Sequence, residues 1–225
     1  MVQPPRINRD WADAPCVVAA SGPSLTKEVA WKVRKARWFD GWHVIAVNDA
    51  FKLLSYADIL YGADIGWWRL QDLSKFHGAR WSCHSRSTGF CDDKSEVYRA
   101  LSLRLVEARE GRGFSADPQF IHYGVQSNSG FHAVNLALLI GAPRVVLVGF
   151  DMRRVDGKSH FFGDHPAAIR RQTEDYNGFV QAFPADSRIV NATPESALKV
   201  YAQVELDDAL EWDGYVHRDG SVASA

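Results

Sequence analysis

Residues 16–26 read Cys-Val-Val-Ala-Ala-Ser-Gly-Pro-Ser-Leu-Thr, and the rest of the chain is organised around this stretch. Its first five residues form a short apolar run with the β-branched content of a buried strand. Four small residues follow as a turn: Ser21, Gly22, Pro23 and Ser24. Gly22 allows close backbone approach, and Pro23 fixes a φ suited to the first turn of a helix that begins near residue 25. A strand, a small-residue turn and a helix start form an anion cradle, because unpaired N–H groups point into it.

Two further strand candidates end in polar residues. The apolar run at residues 43–47 leads into Asn48 and Asp49, and the run at residues 58–61 leads to Asp64. In open parallel sheets, ligands bind beyond the carboxyl ends of the strands. The repetition therefore favours a ligand site over the alternative, an ordinary packing turn between a strand and a helix.

A second strand-and-helix unit lies at residues 128–151. Asn128 or Ser129 can cap a helix of apolar residues that ends at Gly141. An apolar strand at residues 144–148 follows and leads to Asp151. Ser129-Gly130 is therefore a second helix start able to hold an anion.

The alternation of strands and helices predicts an α/β fold with a parallel sheet and helices on both faces. Residues 1–14 are predicted to be a flexible lead-in, residues 15–204 a single domain, and residues 205–225 a C-terminal tail. The charged and aromatic residues 152–165 are predicted to form a mobile lid loop over the site. Helices are also predicted at residues 67–76, 166–183 and 195–201.

Composition excludes several classes of protein. The 225-residue chain is 46% apolar with a formal charge of −1, so it has no global attraction to nucleic acid or anionic membrane. We expect a cytoplasmic protein without a membrane span, because no apolar run approaches ~20 residues. Three cysteines are too few for a disulfide framework, and they lack zinc-site spacing. A Walker loop, a full Gly-x-Gly-x-x-Gly fingerprint, a Gly-x-Ser-x-Gly elbow and a His-Glu-x-x-His motif are all missing from the sequence.

Several blocks resemble a known family. Val-Val-Ala-Ala-Ser-Gly-Pro-Ser-Leu at residues 17–25, followed by Val-Ile-Ala-Val-Asn-Asp-Ala at residues 44–50, resembles the start of motility-associated-factor flagellin glycosyltransferases. It is also similar to the opening of bacterial CMP-sialic-acid sialyltransferases. Ser129-Gly130 and residues 141–151 resemble the second motif of both groups, and Gly-Lys-Ser-His at residues 157–160 resembles the next loop of the flagellin enzymes. The archaeal 6-hydroxymethylpterin diphosphokinases are more distant relatives that share this domain.

This resemblance implies a modified Rossmann-like fold that binds a nucleotide or nucleotide-sugar. The positions that match the CMP contacts of the sialyltransferases are Ser21, Gly22, Asn48, Ser129 and Gly130. The sialyltransferases carry Asn where this chain has Ser21, so a contact to the nucleotide is shortened or lost. The predicted nucleotide-binding set further includes Pro23, Ser24, Asp49, Asp64 and Asp151.

Two histidines compete for the role of general base. His165 precedes the predicted long helix, as the base does in the sialyltransferases, and His160 lies in the Gly-Lys-Ser-His block. An unperturbed imidazole suits proton removal near neutral pH. The alternative for both is a solvated loop histidine. His132 lies within an apolar helix pattern and is predicted to be a core residue.

Three functions follow from these observations. The first is transfer of a CMP-linked, sialic-acid-like sugar to an acceptor hydroxyl, which requires no metal if two helix N-termini stabilise the leaving phosphate. The second is a Mg²⁺-dependent diphosphokinase acting on a pterin-like alcohol, with Asp64 and Asp151 holding the metal; otherwise these are capping or structural carboxylates. The third is a non-catalytic nucleotide-binding module. The sequence leaves the acceptor and the oligomeric state open, a homo-oligomer being one option.

Overall fold

The computed structural model describes residues 7–84, 95–124, 127–164 and 176–211, which form an α/β structure with a nine-stranded, all-parallel sheet. The strands are β1 (Cys16–Ala19), β2 (His43–Val47), β3 (Ile59–Tyr61), β4 (Ala79–His84), β5 (Leu103–Glu110), β6 (Phe120–Tyr123), β7 (Val145–Val148), β8 (Ile189–Asn191) and β9 (Ala202–Gln203). The helices are α1 (Lys27–Phe39), α2 (Ile65–Arg69), α3 (Ser95–Ala100), α4 (Ser129–Ile140), α5 (Tyr176–Ala182) and α6 (Leu206–Leu210), with a 3-10 helix at Asn48–Lys52. The predicted fold class, a Rossmann-like parallel sheet, is confirmed.

The order of the strands creates a crevice beside β1. The sheet runs β6-β5-β4-β3-β2-β1-β7-β8-β9, so the chain moves outward from β1 to β6 and then returns through α4 to β7 on the other side of β1. The connections that leave β1 and β7 therefore diverge. Such a topological switch point is where open α/β sheets bind their ligands.

Both faces of the sheet are buried beneath helices. In β1, Cys16 and Val18 pack in the same apolar cluster as α4, whereas Val17 and Ala19 pack in the cluster that includes α1. Successive side chains of a strand point to opposite faces, so a central strand covered on both sides is apolar throughout. The prediction of helices on both faces is confirmed.

The two predicted helix starts differ in accuracy. Asn128 caps α4 by accepting a hydrogen bond from Phe131 N at 2.9 Å, and Gly141 ends the helix with a φ of 110°, as predicted. In contrast, α1 begins at Lys27 with Thr26 as its cap. Pro23 therefore lies in the turn before the helix and not in its first turn, contrary to the prediction.

Two predicted helices are wrong. The helix predicted at residues 67–76 ends at Arg69, because Gln71 Nε2 donates to Trp67 O and Asp72 Oδ1 accepts from Ser74 N in a turn. Residues 195–201 form turns, since Ser196 Oγ donates to Phe150 O and accepts from Leu198 N. These side-chain bonds replace helical backbone bonds. Of the helix predicted at 166–183, residues 166–175 lie outside the described residues, and α5 at Tyr176–Ala182 agrees with the rest.

The ends of the described chain are more firmly attached than predicted. Within residues 7–14, Ile7 and Trp11 are buried, Ile7 N donates to Pro118 O, and Trp11 stacks on His43 at 4.3 Å. In the predicted tail, Leu206 and Ala209 of α6 are buried in the same apolar cluster as the inner face of α1, beside a 2.7 Å ion pair between Lys32 and Asp207. Apolar burial explains both attachments, because a chain end that covers core side chains gains free energy by packing. Residues 1–6 and 212–225 lie outside the described part.

Candidate functional site

The turn after β1 meets the end of β7 at the switch point. Gly22 N donates to Gly149 O at 2.9 Å. Ser24 donates twice to Asp151, from its backbone N to Oδ1 at 3.2 Å and from Oγ to Oδ2 at 2.8 Å. The cradle that the sequence predicts for a phosphate therefore holds a carboxylate of the protein itself.

Asp151 is the most buried acid of this region, with 2% of its surface exposed. Burial raises the pKa of its carboxyl, and the hydrogen bonds from Ser24 and the charge of Arg153 oppose that rise. A buried carboxylate at this position can bind a cation or hold a proton. It would repel a phosphate placed in the same cradle.

Gly22 is required by contacts within the protein. A Cβ at this position would lie 2.0 Å from Asp151 Oδ2 and 2.4 Å from Gly149 O. No real Cβ approaches other atoms so closely, and the carbonyl belongs to the backbone. The residue thus permits the close approach that the sequence predicts, with β7 as the approaching segment, and Pro23 lies half-buried beside it.

Asn48 and Asp49 have different environments after β2. Asn48 has a left-handed backbone with φ of 49°, and its Oδ1 is buried without a hydrogen-bond partner among the described residues. The oxygen therefore does not close a local turn with a neighbouring backbone N–H group, which is the usual structural role of an Asn at such a position. Asp49 is buried and accepts from Trp67 Nε1 at 2.9 Å and from Lys52 Nζ at 2.5 Å. Because the fold uses the Asp49 carboxylate, Asn48 is the better ligand contact of the two.

Ser21 is fixed in place by its neighbours. Its Oγ donates to Val47 O at 3.1 Å, and its carbonyl accepts from Phe161 N at 3.0 Å. The first bond joins the β1 turn to the end of β2, and the second joins it to the predicted lid. The side chain is buried, so Ser21 shapes the crevice from beneath.

The N-terminus of α4 opens towards the same edge of the sheet. Ser129 Oγ accepts from Ala63 N at 3.2 Å, which ties the helix start to the end of β3. A Cβ on Gly130 would lie 3.0 Å from the Phe150 ring, so the glycine allows tight packing. The N–H groups of Ser129 and Gly130 have no partner within the helix, as in any first helical turn.

Asp64 is separate from this arrangement. It is exposed and caps α2 by accepting from Gly66 N at 2.7 Å. Asp64 and Asp151 share no hydrogen-bonding partner in the described residues, which also contain no cluster of three or more His, Cys, Asp or Glu side chains able to hold a metal. If Mg²⁺ binds here, Asp151 would be its ligand together with phosphate oxygens.

Residues 152–164 of the predicted lid fold over the β1 turn. Backbone bridges join Val155 to Lys158 and His160 to Gly163, and Ser159 Oγ donates to Asp164 at 2.5 Å. His160 is half-buried and stacks on Phe162 with ring centroids 5.0 Å apart. His165, the other predicted base, lies outside the described residues.

Backbone strain marks this edge of the sheet and was not predicted. Three non-glycine residues in loops after strands have left-handed φ angles of about 50°: Asn48 after β2, Met152 after β7 and Glu195 after β8. Arg153 holds the third of these loops by donating to Glu195 O at 2.9 Å. Strained residues of this kind often cluster at functional sites. Only Asn48 carried a sequence signal, because Asn tolerates this conformation better than Met or Glu.

A cavity of about 800 Å³ lies at the other edge of the sheet. Its lining includes Ile7, Leu138 and Arg188, which precede β1, β7 and β8 respectively. Residues that precede parallel strands lie at the amino ends, so this cavity is remote from the predicted site residues. Two polar side chains of its lining are used within the protein, since Ser115 Oγ donates to Asp117 O and Asp186 forms an ion pair with Arg188.

No known family model matches the chain, and no curated protein matches it by sequence. The resemblance to the flagellin glycosyltransferases and sialyltransferases therefore rests on the motifs at residues 17–25, 44–50 and 129–160 alone. Within the described residues, no helix is long and apolar enough to cross a membrane.

Proposed function

We propose that the chain is a glycosyltransferase-like enzyme that binds a CMP-linked, sialic-acid-like sugar at the carboxyl edge of the sheet and transfers the sugar to an acceptor hydroxyl. The observation that carries the proposal is the Asn48 side chain. Its amide oxygen is buried and unpartnered among the described residues, in a strained backbone, at the end of β2. A buried acceptor requires a donor, and a ribose hydroxyl or a cytosine amino group supplies one.

The phosphate of the donor belongs at the start of α4 and not in the turn after β1. Asp151 occupies that turn, whereas the N–H groups of Ser129 and Gly130 have no partner within α4 and lie at the positive end of this 12-residue helix. In the reaction, the acceptor oxygen bonds to the anomeric carbon as the bond from that carbon to the CMP phosphate breaks. The electron pair of that bond leaves on the phosphate, where α4 stabilises the charge.

A base must take the proton of the acceptor hydroxyl. His160 is the candidate in the described part of the lid, and the residue after it, Phe161, contacts the Ser21 carbonyl. His165 is the second candidate. We expect the double variant His160→Ala/His165→Ala to lose sugar transfer while it retains CMP binding. Intact transfer in that variant would refute both assignments.

The diphosphokinase is a second candidate, favoured by Asp151. A buried carboxylate with a raised pKa at a switch point is a suitable Mg²⁺ ligand, and the metal would link it to the phosphates of ATP. The two candidates make opposite predictions for Asp151→Asn. The amide keeps a hydrogen-bond acceptor for Ser24 but removes the charge.

Thermal unfolding with CMP, or with ATP and Mg²⁺, tests both candidates. A ligand at ~100 times its Kd stabilises the fold by about 2.7 kcal/mol. For the glycosyltransferase, CMP alone raises the Tm. Asp151→Asn then leaves CMP affinity unchanged or increases it, because the variant removes a like charge that opposes phosphate binding. For the diphosphokinase, only ATP with Mg²⁺ stabilises the chain, and Asp151→Asn abolishes the effect.

Asp208→Asn on exposed α6 is the matched control for loss of one carboxylate. We expect it to change neither response. If neither CMP nor ATP with Mg²⁺ raises the Tm, both candidate functions are wrong.

A further inference from the structure

The outer face of α1 exposes three large aromatic side chains. Trp31, Trp38 and Phe39 are 57%, 52% and 73% exposed, whereas Ala30, Val33 and Ala36 on the inner face are buried. Trp31 and Trp38 are seven residues apart, so they lie on the same side of the helix about 10.5 Å from each other. A contiguous exposed aromatic surface usually marks an interaction site.

Cations lie over the two tryptophan rings. Lys35 Nζ lies 4.7 Å from the centre of the Trp31 ring, and Arg34 Cζ lies 3.9 Å from the centre of the Trp38 ring. These contacts restrict the rings and reduce the side-chain entropy that a partner would have to remove on binding. The aromatic surface is therefore arranged before any partner binds.

Charge divides this face into three bands along the helix. Arg34 lies on the side of Tyr56, with its Cζ 5.8 Å from that ring, and forms a basic edge. On the opposite side, Lys32 bonds Asp207 of α6 at 2.7 Å, so α6 forms an acidic edge. The exposed acids of this edge are Glu28, Glu205, Asp207, Asp208 and Glu211. The aromatic side chains lie between the two edges.

We infer that this face binds a second copy of the chain. The exposed acids of this edge stand beside exposed cations of α1 such as Lys27 and Lys35, so the face carries both signs of charge. Lipid or nucleic-acid phosphates would attract only the cations, which disfavours an anionic membrane or a polynucleotide relative to a partner that carries both signs. A second copy presents both a basic and an acidic edge, so each edge can meet an edge of opposite charge. A twofold axis parallel to α1 places the acidic edge of each copy on the basic edge of the other, whereas an axis across the helix pairs like charges. The two α1 helices therefore pack in parallel.

The exposed aromatic area sets the strength of the dimer. Three aromatic side chains of up to ~250 Å² each, half or more exposed, supply on the order of 400 Å². A standard interface buries about 800 Å² on each partner, so the charged edges must supply the rest. We expect a micromolar dimer that weakens as salt is raised.

Sedimentation velocity of the full chain from ~1 to ~200 µM measures the dimer. We expect dimers of the wild-type chain, and a rise of at least about tenfold in Kd for Trp31→Glu. Leu70→Glu is the matched control, since Leu70 is 62% exposed and directly follows α2, away from α1 in the sequence. A wild-type monomer at every concentration, or equal weakening by both variants, would overturn the inference. Circular dichroism verifies that both variants fold.

Disulfide trapping tests the orientation. In a parallel dimer, Trp31→Cys forms a bond with itself across the axis, and Trp38→Cys does the same. In an antiparallel dimer, residue 31 faces residue 38, and like positions are about 10.5 Å apart, too far for a disulfide. Peptide mapping of an oxidised mixture of the two variants distinguishes these bonds from those of native cysteines. A predominance of 31–38 bonds would refute the parallel arrangement.

Discussion

Replacing Gly22 with alanine is expected to lower the free energy of unfolding by about 3 kcal/mol. Overpacking costs ~1–3 kcal/mol, and each lost hydrogen bond costs ~1 kcal/mol. The new Cβ would lie 2.4 Å from Gly149 O, which belongs to the backbone and has little room to move. Relief requires the β1 turn to separate from β7. That movement breaks the Gly22 N–Gly149 O bond and lengthens the bonds from Ser24 to Asp151.

Urea unfolding at pH 7 measures this loss. Gly157→Ala is the control, because it also adds a Cβ to a glycine in a turn, but nothing lies within 4 Å of the new Cβ; Gly157 has a left-handed φ of 75°, which Gly22 does not share. It should lose only the left-handed strain of ~1–2 kcal/mol. If Gly22→Ala is no less stable than Gly157→Ala, the close approach to β7 does not govern the turn.

Two further predictions concern buried polar side chains on α4. Asn135 is fully buried, accepts from Ser115 N at 3.0 Å and His122 N at 3.2 Å, and donates to Ser115 O at 2.9 Å. Asn135→Leu should therefore cost about 3–5 kcal/mol in urea unfolding, since three backbone groups lose their partner, and a loss below ~1 kcal/mol would contradict this reasoning. Burial lowers the pKa of His132 to about 4, below its value in the unfolded chain. The unfolded chain therefore takes up a proton first as the pH falls, and the folded protein loses stability. Between pH 7 and pH 4.5 the wild type should lose about 2 kcal/mol more than His132→Gln, and equal losses would refute a neutral buried imidazole.

The central strands and α4 were predictable because their signals are local. The continuous apolar run of β7 is typical of a strand that is buried on both faces. Such strands belong to parallel sheets, and β7 does pair in parallel with β1. The ends of α4 were also local, since Asn128 supplies the cap and Gly141 adopts the left-handed conformation. Such features need no knowledge of the rest of the chain.

The occupant of the β1 turn was not predictable, because Ser24 and Asp151 are 127 residues apart in sequence. Long-range pairing also misled the prediction at residues 195–201, where Ser196 bonds to the Phe150 carbonyl instead of capping a helix. Likewise, Asp49 resembles a ligand in sequence, but Trp67 and Lys52 use its carboxylate. Local sequence patterns located the polar strand ends correctly. They did not reveal which of these side chains are already hydrogen-bonded or ion-paired within the protein.

The contacts at the switch point together imply that binding there is an exchange. Asp151 accepts hydrogen bonds from Ser24 N and Oγ, and Phe161 N of the lid donates to the Ser21 carbonyl. The crevice is therefore closed by hydrogen bonds within the protein. A ligand that places a phosphate in the β1 turn would have to break both sets of contacts, and its apparent affinity would be its intrinsic affinity multiplied by the fraction of chains in which they are open. A ligand whose phosphate rests on α4 leaves the Asp151 bonds intact and has to displace the lid alone. This difference favours a phosphate on α4 over one in the β1 turn.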